Sequence, residues 1–526
     1  MRNDNSTLIE ALQDDKVYGH PVDRIELVET HISWILLTGP YAYKIKKPVN
    51  LGFLDFSTLE LRHHYCEEEL RLNRRLAPQL YLEVVAITGT RSRPSLNGWG
   101  PVIEYAVKMA QFDPDQQFDR LITCGALTTA HVDQLARRVA AFHSEAAVAA
   151  ATTPYGGPEA ITAPVKENFH QLRPLPGYIA EEEHLRQLEA WSEQYSHALA
   201  PLFVLRKAQG YVREGHGDLH LANITLIDGE PVVFDCLEFN ERLRWIDTMS
   251  DVAFLVMDLD AHRRPDLAAR LLNGYLEACG DYDGLRVLDY YRVYRALVRA
   301  KVTRLRLAQV AEAHHGDTPD LALSQQLVGY LRLAADYTRT QPRGLIITHG
   351  LSGSGKSTVA QLLVEHCGMI RVRSDVERKR LYGLAPEARS GAAIDRDIYQ
   401  PAATEHTYSR LAELARTIDA AGYPVIVDAT FLRRAQREAF RQLAAELRIP
   451  FLILSCHAPD AQLRQWIRER SAAGGDVSEA DLVVLDRQIA AQEILGPEEQ
   501  AKILSVDTTR ELDPRRLAEE VLARLN

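Results

Sequence analysis

Two stretches of this chain gather the residue types that phosphoryl transfer needs. The first is His216-Gly217-Asp218-Leu219-His220-Leu221-Ala222-Asn223, followed after a turn by Phe234-Asp235-Cys236-Leu237-Glu238. An Asp in a loop can orient and deprotonate a hydroxyl, and an Asn five residues on can reach Mg²⁺. A second Asp, carried by a returning strand, can complete the metal site between the phosphates of ATP. Asp218 is therefore the expected base, and Asn223 and Asp235 the expected metal ligands. A polar turn between helices is the plainer alternative, but loop, hairpin and second acid occur here together.

The second stretch, Gly350-Leu351-Ser352-Gly353-Ser354-Gly355-Lys356-Ser357, fits the G-x4-G-K-[S/T] pattern in full, directly after an apolar strand and before a helical run. Glycines let the backbone curl so that successive N–H groups and a helix N-terminus point at phosphate oxygens. Gly350, Gly353, Gly355, Lys356, Ser357 and Thr358 are the expected nucleotide-binding residues. Lys356 would neutralise the β- and γ-phosphates and Ser357 would ligate Mg²⁺.

Three further features surround that loop. The strand 425–427 ends in Asp428-Ala429-Thr430, which puts a carboxylate at the carboxyl end of a sheet strand, where a Mg²⁺ partner belongs; a helix-capping Asp is the alternative. Arg373-Ser374-Asp375 follows a short strand, 369–372, and Asp375 could accept the proton of a substrate hydroxyl. Arg373 and Arg378 could bind an anionic substrate or pair with surface acids. Arg464, Arg468 and Arg470 lead into Gly474-Gly475-Asp476, a basic helix before a Gly-rich loop, from which Arg470 could reach the transferring phosphoryl group as part of a lid; a solvated basic face is the alternative.

The elements that must hold these residues are legible as periodicities. Residues 24–47 read as two apolar strands, 31–37 and 41–46, meeting at a Thr-Gly-Pro turn. Helical spacing covers 58–76, strands 81–88 and 102–109 complete a small β-rich lobe, and 128–149 and most of 247–337 are helical. Inside that helical lobe, 215–239 reads as loop, strand, Asp-Gly turn and strand. The Pro-containing segment 339–343 marks a domain boundary, giving domains 1–340 and 341–526. Beyond it strand and helix alternate, which implies a parallel sheet with helices on both faces.

Composition sets the outer limits. At 526 residues the chain is too long for one ordinary core, and 46% hydrophobic with 25% charged residues is a globular balance. A formal net charge of −11 disfavours non-specific attraction to nucleic acid or anionic membranes, so a small metabolite fits better as partner. Residues 1–12 lack the apolar run of a signal peptide and no segment is apolar enough to span a bilayer, so a cytoplasmic location is expected. The six cysteines are scattered without a CxxC pair, and His63/His64 and His314/His315, adjacent in sequence, diverge on a helix and do not converge on a metal.

The residues from about 344 to 526 resemble small-molecule P-loop kinases of the gluconate kinase, zeta toxin and polynucleotide kinase group, through 350–357, Arg373-Ser374-Asp375, Asp428-Ala429-Thr430 and the Arg470 region. Residues 25–337 resemble the aminoglycoside-phosphotransferase and choline-kinase branch of the protein-kinase-like fold, in which HGDxxxxN stands at the catalytic loop. That second resemblance implies a strand lysine paired with a helix glutamate; Lys44, of the two lysines Lys44 and Lys46, and Glu69, of Glu67, Glu68 and Glu69, are the candidates. It also implies that Asp251 steadies the catalytic loop. Within residues 25–337 a Gly-x-Gly-x-x-Gly loop between the first strands, and DFG and APE motifs, are missing, which argues against a regular protein kinase.

The expected architecture is thus a two-domain α/β chain: an N-terminal bilobal protein-kinase-like fold and a C-terminal P-loop, doubly wound parallel sheet. The expected activity is ATP-dependent, Mg²⁺-assisted phosphoryl transfer to a hydroxyl of a small molecule, with a regulatory P-loop ATPase module as the alternative for one half.

Overall fold

The computed structural model describes all residues except 1–3, 53, 174–178, 314–319, 386–387, 389–399, 474–480 and 526, and all side chains of the rest except those of 4–5, 179–181, 311–313, 401 and 470–473. The chain forms two compact units. Met1–Gln134, Phe142–His170 and Glu193–Asp258 make the first; Leu135–Ala141, Gln171–Ser192 and Leu259–Asn526 make the second.

The first unit is built on a six-stranded antiparallel sheet, ordered β1-β2-β3-β6-β4-β5, from β1 (Glu26–Glu29), β2 (Ser33–Leu37), β3 (Tyr41–Lys46), β4 (Tyr81–Thr90), β5 (Arg93–Leu96) and β6 (Val102–Ala110). The segment 24–47 holds three strands, not two. β1 is exposed along most of its length, so no apolar alternation marks it. The β2–β3 turn is closed by Thr38, whose N–H and hydroxyl both donate to the Tyr41 carbonyl, at 2.9 and 2.7 Å.

Strand alternation then decides what each face of β3 meets. Tyr43 and Ile45 pack with Leu8, Ile9 and Leu12 of the N-terminal helix Asp4–Ala11 and the turn after it. On the opposite face Ala42 packs with Cys66 and Leu70 of the helix Leu59–Asn73, and Lys44 and Lys46 lie on that same face. The helix is started by Thr58, which accepts from Leu61 N at 3.2 Å. Two short ribbons complete the unit: β7 (Val212–Glu214) with β10 (Trp245–Asp247), and β8 (Ile224–Ile227) with β9 (Glu230–Val233). Asp228 and Gly229, both at positive φ, make the tight β8–β9 turn.

The second unit carries a five-stranded sheet, parallel throughout, ordered β12-β13-β11-β14-β15: β11 (Leu345–His349), β12 (Ile370–Arg373), β13 (Val425–Asp428), β14 (Phe451–His457) and β15 (Ile503–Asp507). Every residue of β11 and β13 is buried, as strands covered on both faces require. Val359 and Leu363 of the helix Lys356–Cys367 and Val521 of the helix Pro514–Leu525 close one cluster with Ile346, Ile426 and Leu454. The helices Pro265–Cys279, Leu285–Ala313 and Leu321–Asp336 precede this sheet in the chain and belong to the same unit. Among the described residues no helix is long and apolar enough to cross a membrane.

Candidate active sites

In the first unit, the helix Leu59–Asn73 buries Arg62, Cys66, Glu69 and Asn73, a row at helical spacing. Glu69 is therefore turned inward, whereas Glu67 is exposed and Glu68 pairs with Arg71 at 2.8 Å. Lys44 Nζ lies 2.7 Å from Glu69 Oε1 and 2.6 Å from Asp235 Oδ1. Burial alone would lower the pKa of the Lys44 ammonium, but the Asp235 and Glu69 carboxylates more than offset it and hold the pKa well above the ordinary lysine value. Lys46, deeper still, bonds the other Glu69 oxygen at 2.7 Å and also Glu238. Burial works to raise the Glu69 pKa, yet its two lysines win and leave it an anion, with a pKa of about 2.

Asp235 sits at φ 63°, a left-handed conformation uncommon for a non-glycine residue. Its N–H donates to the Tyr81 hydroxyl at 3.2 Å, and Cys236 N donates to Asn73 Oδ1 at 2.8 Å, so the helix and β4 hold the strained turn in place. The catalytic-loop candidates are tied to the same turn. Phe234 N donates to the Asn223 carbonyl at 3.0 Å, Leu237 N to the His216 carbonyl at 3.0 Å, and His216 Nε2 pairs with the Phe234 carbonyl at 2.9 Å. Burial lowers the His216 pKa, which favours the neutral ring whose Nδ1 accepts from Asp218 N at 3.3 Å. Asn223 Nδ2 donates to the Asp218 carbonyl at 2.9 Å and its carboxylate at 3.3 Å.

Beneath the loop, Asp251 accepts from His216 N at 2.7 Å and Gly217 N at 3.0 Å. Gly217 has φ +86°, and a Cβ there would lie 2.8 Å from the Leu243 carbonyl, which accounts for glycine between His216 and Asp218. Asp218 and Asn223 are thus tied through the Phe234 main chain to Asp235, which pairs with Lys44 and through it with Glu69.

In the second unit, a cleft of about 890 Å³ is lined by Gly353, Gly355, Lys356, Ser357 and Thr358 together with Arg373, Asp375, Arg378 and Asp428. Gly350 begins the loop at φ +142°, where a Cβ would fall 2.3 Å from the Cys456 carbonyl. Its N–H donates to the Thr430 carbonyl at 3.2 Å, while Thr348 Oγ1 donates to the Ala429 carbonyl at 2.7 Å and accepts from Ala429 N at 3.0 Å. These bonds fasten the loop to the end of β13. Lys356 Nζ donates to the Leu351 carbonyl at 2.6 Å, inside the loop's own curl.

Asp428 is the last residue of β13 and 5% exposed, and its Oδ2 has no hydrogen-bond partner among the described residues. A buried carboxylate oxygen left open beside Ser357 in the cleft suits a Mg²⁺ that takes its other ligands from nucleotide phosphates and water. Among the described residues no three His, Cys, Asp or Glu side chains form a cage that would hold an ion unaided.

Arg373 lines the cleft while its guanidinium pairs with Glu277 at 2.8 Å, so it is bound to an acid that itself is largely buried. Arg464 pairs with Asp460 and Asp486, as a solvated face would. Arg470 belongs to the helix Asp460–Ala473, but its side chain and residues 474–480 lie outside the described residues, as do His314 and His315. The Lys46–Glu238 pair, the Tyr81 and Asn73 contacts and Glu277 were not anticipated from the sequence. Lys46 could have been, because it shares the strand face of Lys44; Glu277 carries no local signal at all, since its partner is 96 residues away.

Residues 55–288 match the Phosphotransferase enzyme family, and residues 345–495 match an AAA domain family. Over 462 residues the chain is 31% identical to the uncharacterized protein Rv2004c of Mycobacterium tuberculosis, covering 87% of this chain and 89% of that protein, and to the uncharacterized protein Mb2027c of Mycobacterium bovis by the same measures. Among solved structures, a choline/ethanolamine kinase family protein from Mesorhizobium loti aligns over 64% of this chain and 94% of its own, with 10% identity and a TM-score of 0.39. A gluconokinase from Sinorhizobium meliloti aligns over 35% and 93%, with 22% identity and a TM-score of 0.24. The chain belongs to the same family as these mycobacterial proteins and is an ATP-dependent kinase in which a phosphotransferase-family domain precedes a P-loop kinase domain.

Proposed function

We propose that the chain is a bifunctional phosphotransferase, with modules 1–340 and 341–526 each moving the γ-phosphoryl of Mg-ATP to a hydroxyl of a small polar metabolite, of the sugar, amino-alcohol or aminoglycoside kind. What supports this reading is that each set of residues contains an acid for the hydroxyl, a lysine for the phosphates and an oxygen ligand set for Mg²⁺.

In the first site Asp218 orients the acceptor hydroxyl and takes its proton. Asn223 and Asp235 would hold the ion, and Lys44, aligned by Glu69, would meet the phosphates. In the second, the loop from Gly350 to Thr358 would cradle the phosphates, Lys356 would neutralise them, Ser357 and Asp428 would hold the ion, and Asp375 would receive the proton. Arg470 is the residue we assign to the transferring phosphoryl group. When bound, Mg²⁺ would supply neutralisation of the phosphate charge. The acidic balance of the chain fits a metabolite acceptor in the cytoplasm better than nucleic acid.

The test is transfer of labelled γ-phosphate from Mg-ATP into a pooled extract of polar metabolites by the wild type, Asp218→Ala and Lys356→Ala. Each substitution is expected to remove its own labelled products by on the order of a hundredfold and spare the other's. Loss of every product with either one would end the claim of two independent activities. ATP consumption without labelled acceptor would make one module a regulatory ATPase.

A further inference from the structure

The helix Pro265–Cys279, which lies inside the segment matching the phosphotransferase family, presents Arg270, Asn273 and Glu277 along one face. Arg270 pairs with Glu365 at 2.6 Å. Asn273 applies both ends of its amide to the edge strand of the parallel sheet: Oδ1 accepts from Arg371 N at 2.7 Å and Nδ2 donates to the Met369 carbonyl at 3.1 Å. It occupies backbone groups that a neighbouring strand would otherwise take.

Glu277 reaches Arg373 in the wall of the cleft. Its Oε1 accepts from Arg373 at 2.8 Å, its Oε2 from Arg371 at 3.3 Å, and its main-chain oxygen from Arg380. Arg373 and Asp428 are register partners on the adjacent parallel strands β12 and β13, and both line the cleft. Opposite charges so placed would ordinarily pair, yet Asp428 Oδ2 has no hydrogen-bond partner among the described residues and Arg373 donates to Glu277. The Asp428 and Asp375 carboxylates still act on Arg373: burial would lower its pKa, and Glu277, Asp428 and Asp375 together raise it.

We propose that Glu277 is a positioning residue of the P-loop site, holding the Arg373 guanidinium off Asp428 so that this carboxylate stays open to Mg²⁺. The inference rests on the phosphoryl-transfer reading of the cleft. Without the Glu277 charge, Arg373 turns to its register neighbour and competes with the ion for the same oxygen.

Binding of ADP, with saturating Mg²⁺ and with chelator, measured by titration calorimetry on the full chain, tests it. The first site's nucleotide binding is weakened throughout by Lys44→Ala, and binding lost on Lys356→Ala defines the P-loop site. Glu277→Gln is expected to reduce the Mg²⁺ enhancement of ADP affinity about tenfold while leaving the Mg²⁺-free affinity unchanged. In an Arg373→Gln chain the same Glu277→Gln change is expected to have no effect on that enhancement. Asn273→Ala, which loosens the edge contact without touching Arg373, should lower the melting temperature and leave the enhancement alone.

An unchanged enhancement in Glu277→Gln overturns the proposal, and so does an equal loss whether or not Arg373 is present. An equal loss in Asn273→Ala also overturns it, since docking of the whole helix would then be the cause. If Lys356→Ala left ADP binding intact, the phosphoryl-transfer reading of the cleft would fall, and this inference with it.

Discussion

Lys44 and Lys46, two residues apart on β3, divide one carboxylate between them: each Nζ lies 2.7 Å from a different oxygen of Glu69. Their second partners separate them. Lys44 also touches Asp235, whose side chain is 41% exposed, while Lys46 touches Glu238, which is 5% exposed. One lysine faces the site and the other faces the core, although both stand on the same face of the strand.

That division predicts opposite phenotypes. Lys44→Ala should cost first-site phosphoryl transfer on the order of a hundredfold with a small change in melting temperature. Lys46→Ala strips the charge from between two buried carboxylates and should destabilise the first unit by about 3–5 kcal/mol. Thermal unfolding of the two variants beside a labelled-phosphate assay decides it; a Lys46→Ala chain that melts with the wild type would place that lysine outside the core electrostatics.

Much of this was legible in the sequence where a local pattern carries the information. The loop from Gly350 to Ser357, the Asp-Gly turn before β9 and the choice of Glu69 over its neighbours all follow from spacing of a few residues, and the structure joins Glu69 to Lys44. What stayed hidden depends on distance along the chain or on exposure. β1 has no alternation because it is an exposed edge, and β5 is short with Pro94 in it. The Glu277–Arg373 pair spans 96 residues, and no periodicity reports a contact of that kind. The division of the chain into units is hidden for the same reason, since residues 259–337 join the unit of the parallel sheet through long-range packing.

Gly350→Ala tests whether the loop's entry needs its unusual backbone. The added Cβ would meet the Cys456 carbonyl at 2.3 Å and the Ser354 hydroxyl at 2.7 Å, at a φ that L residues rarely adopt. We expect a loss of roughly 2–4 kcal/mol in the stability of the second unit and loss of ADP binding at the P-loop. Normal ADP affinity in a stably folded Gly350→Ala chain would mean that the loop can be entered by another path.

His349 makes the second unit acid-sensitive. It is 5% exposed, its Nδ1 pairs with Ser455 Oγ at 3.0 Å and its Nε2 has no partner among the described residues. Burial, with the nearby Arg437 and Lys356 charges, pushes its pKa down to about 4. Between about pH 6.5 and pH 4 the unfolded chain binds a proton that the folded chain refuses, so stability falls as pH falls through that window. The loss should be roughly 2 kcal/mol at pH 5, from 1.4 kcal/mol for each pH unit below the unfolded value. Urea unfolding at about pH 7 and 5 should show a shallower pH dependence in His349→Gln; parallel dependences would remove His349 as the cause.

Where the second unit can be cut is the last prediction. A fragment of residues 341–526 keeps all five parallel strands, yet it uncovers the edge of β12, where Asn273 holds Met369 and Arg371, and it leaves Arg371 and Arg373 without Glu277. An open edge strand invites pairing with another chain. The fragment 259–526 retains the helix Pro265–Cys279 and with it these contacts. We therefore expect 341–526 to melt about 4–8 °C below 259–526, the shift that ~2 kcal/mol produces in a domain of this size, and to self-associate on concentration. Scanning calorimetry and light scattering on the two fragments measure both effects. Equal melting temperatures with 341–526 monomeric would mean that the parallel sheet folds without help from the preceding helices, and that the Asn273 and Glu277 contacts add nothing to its stability.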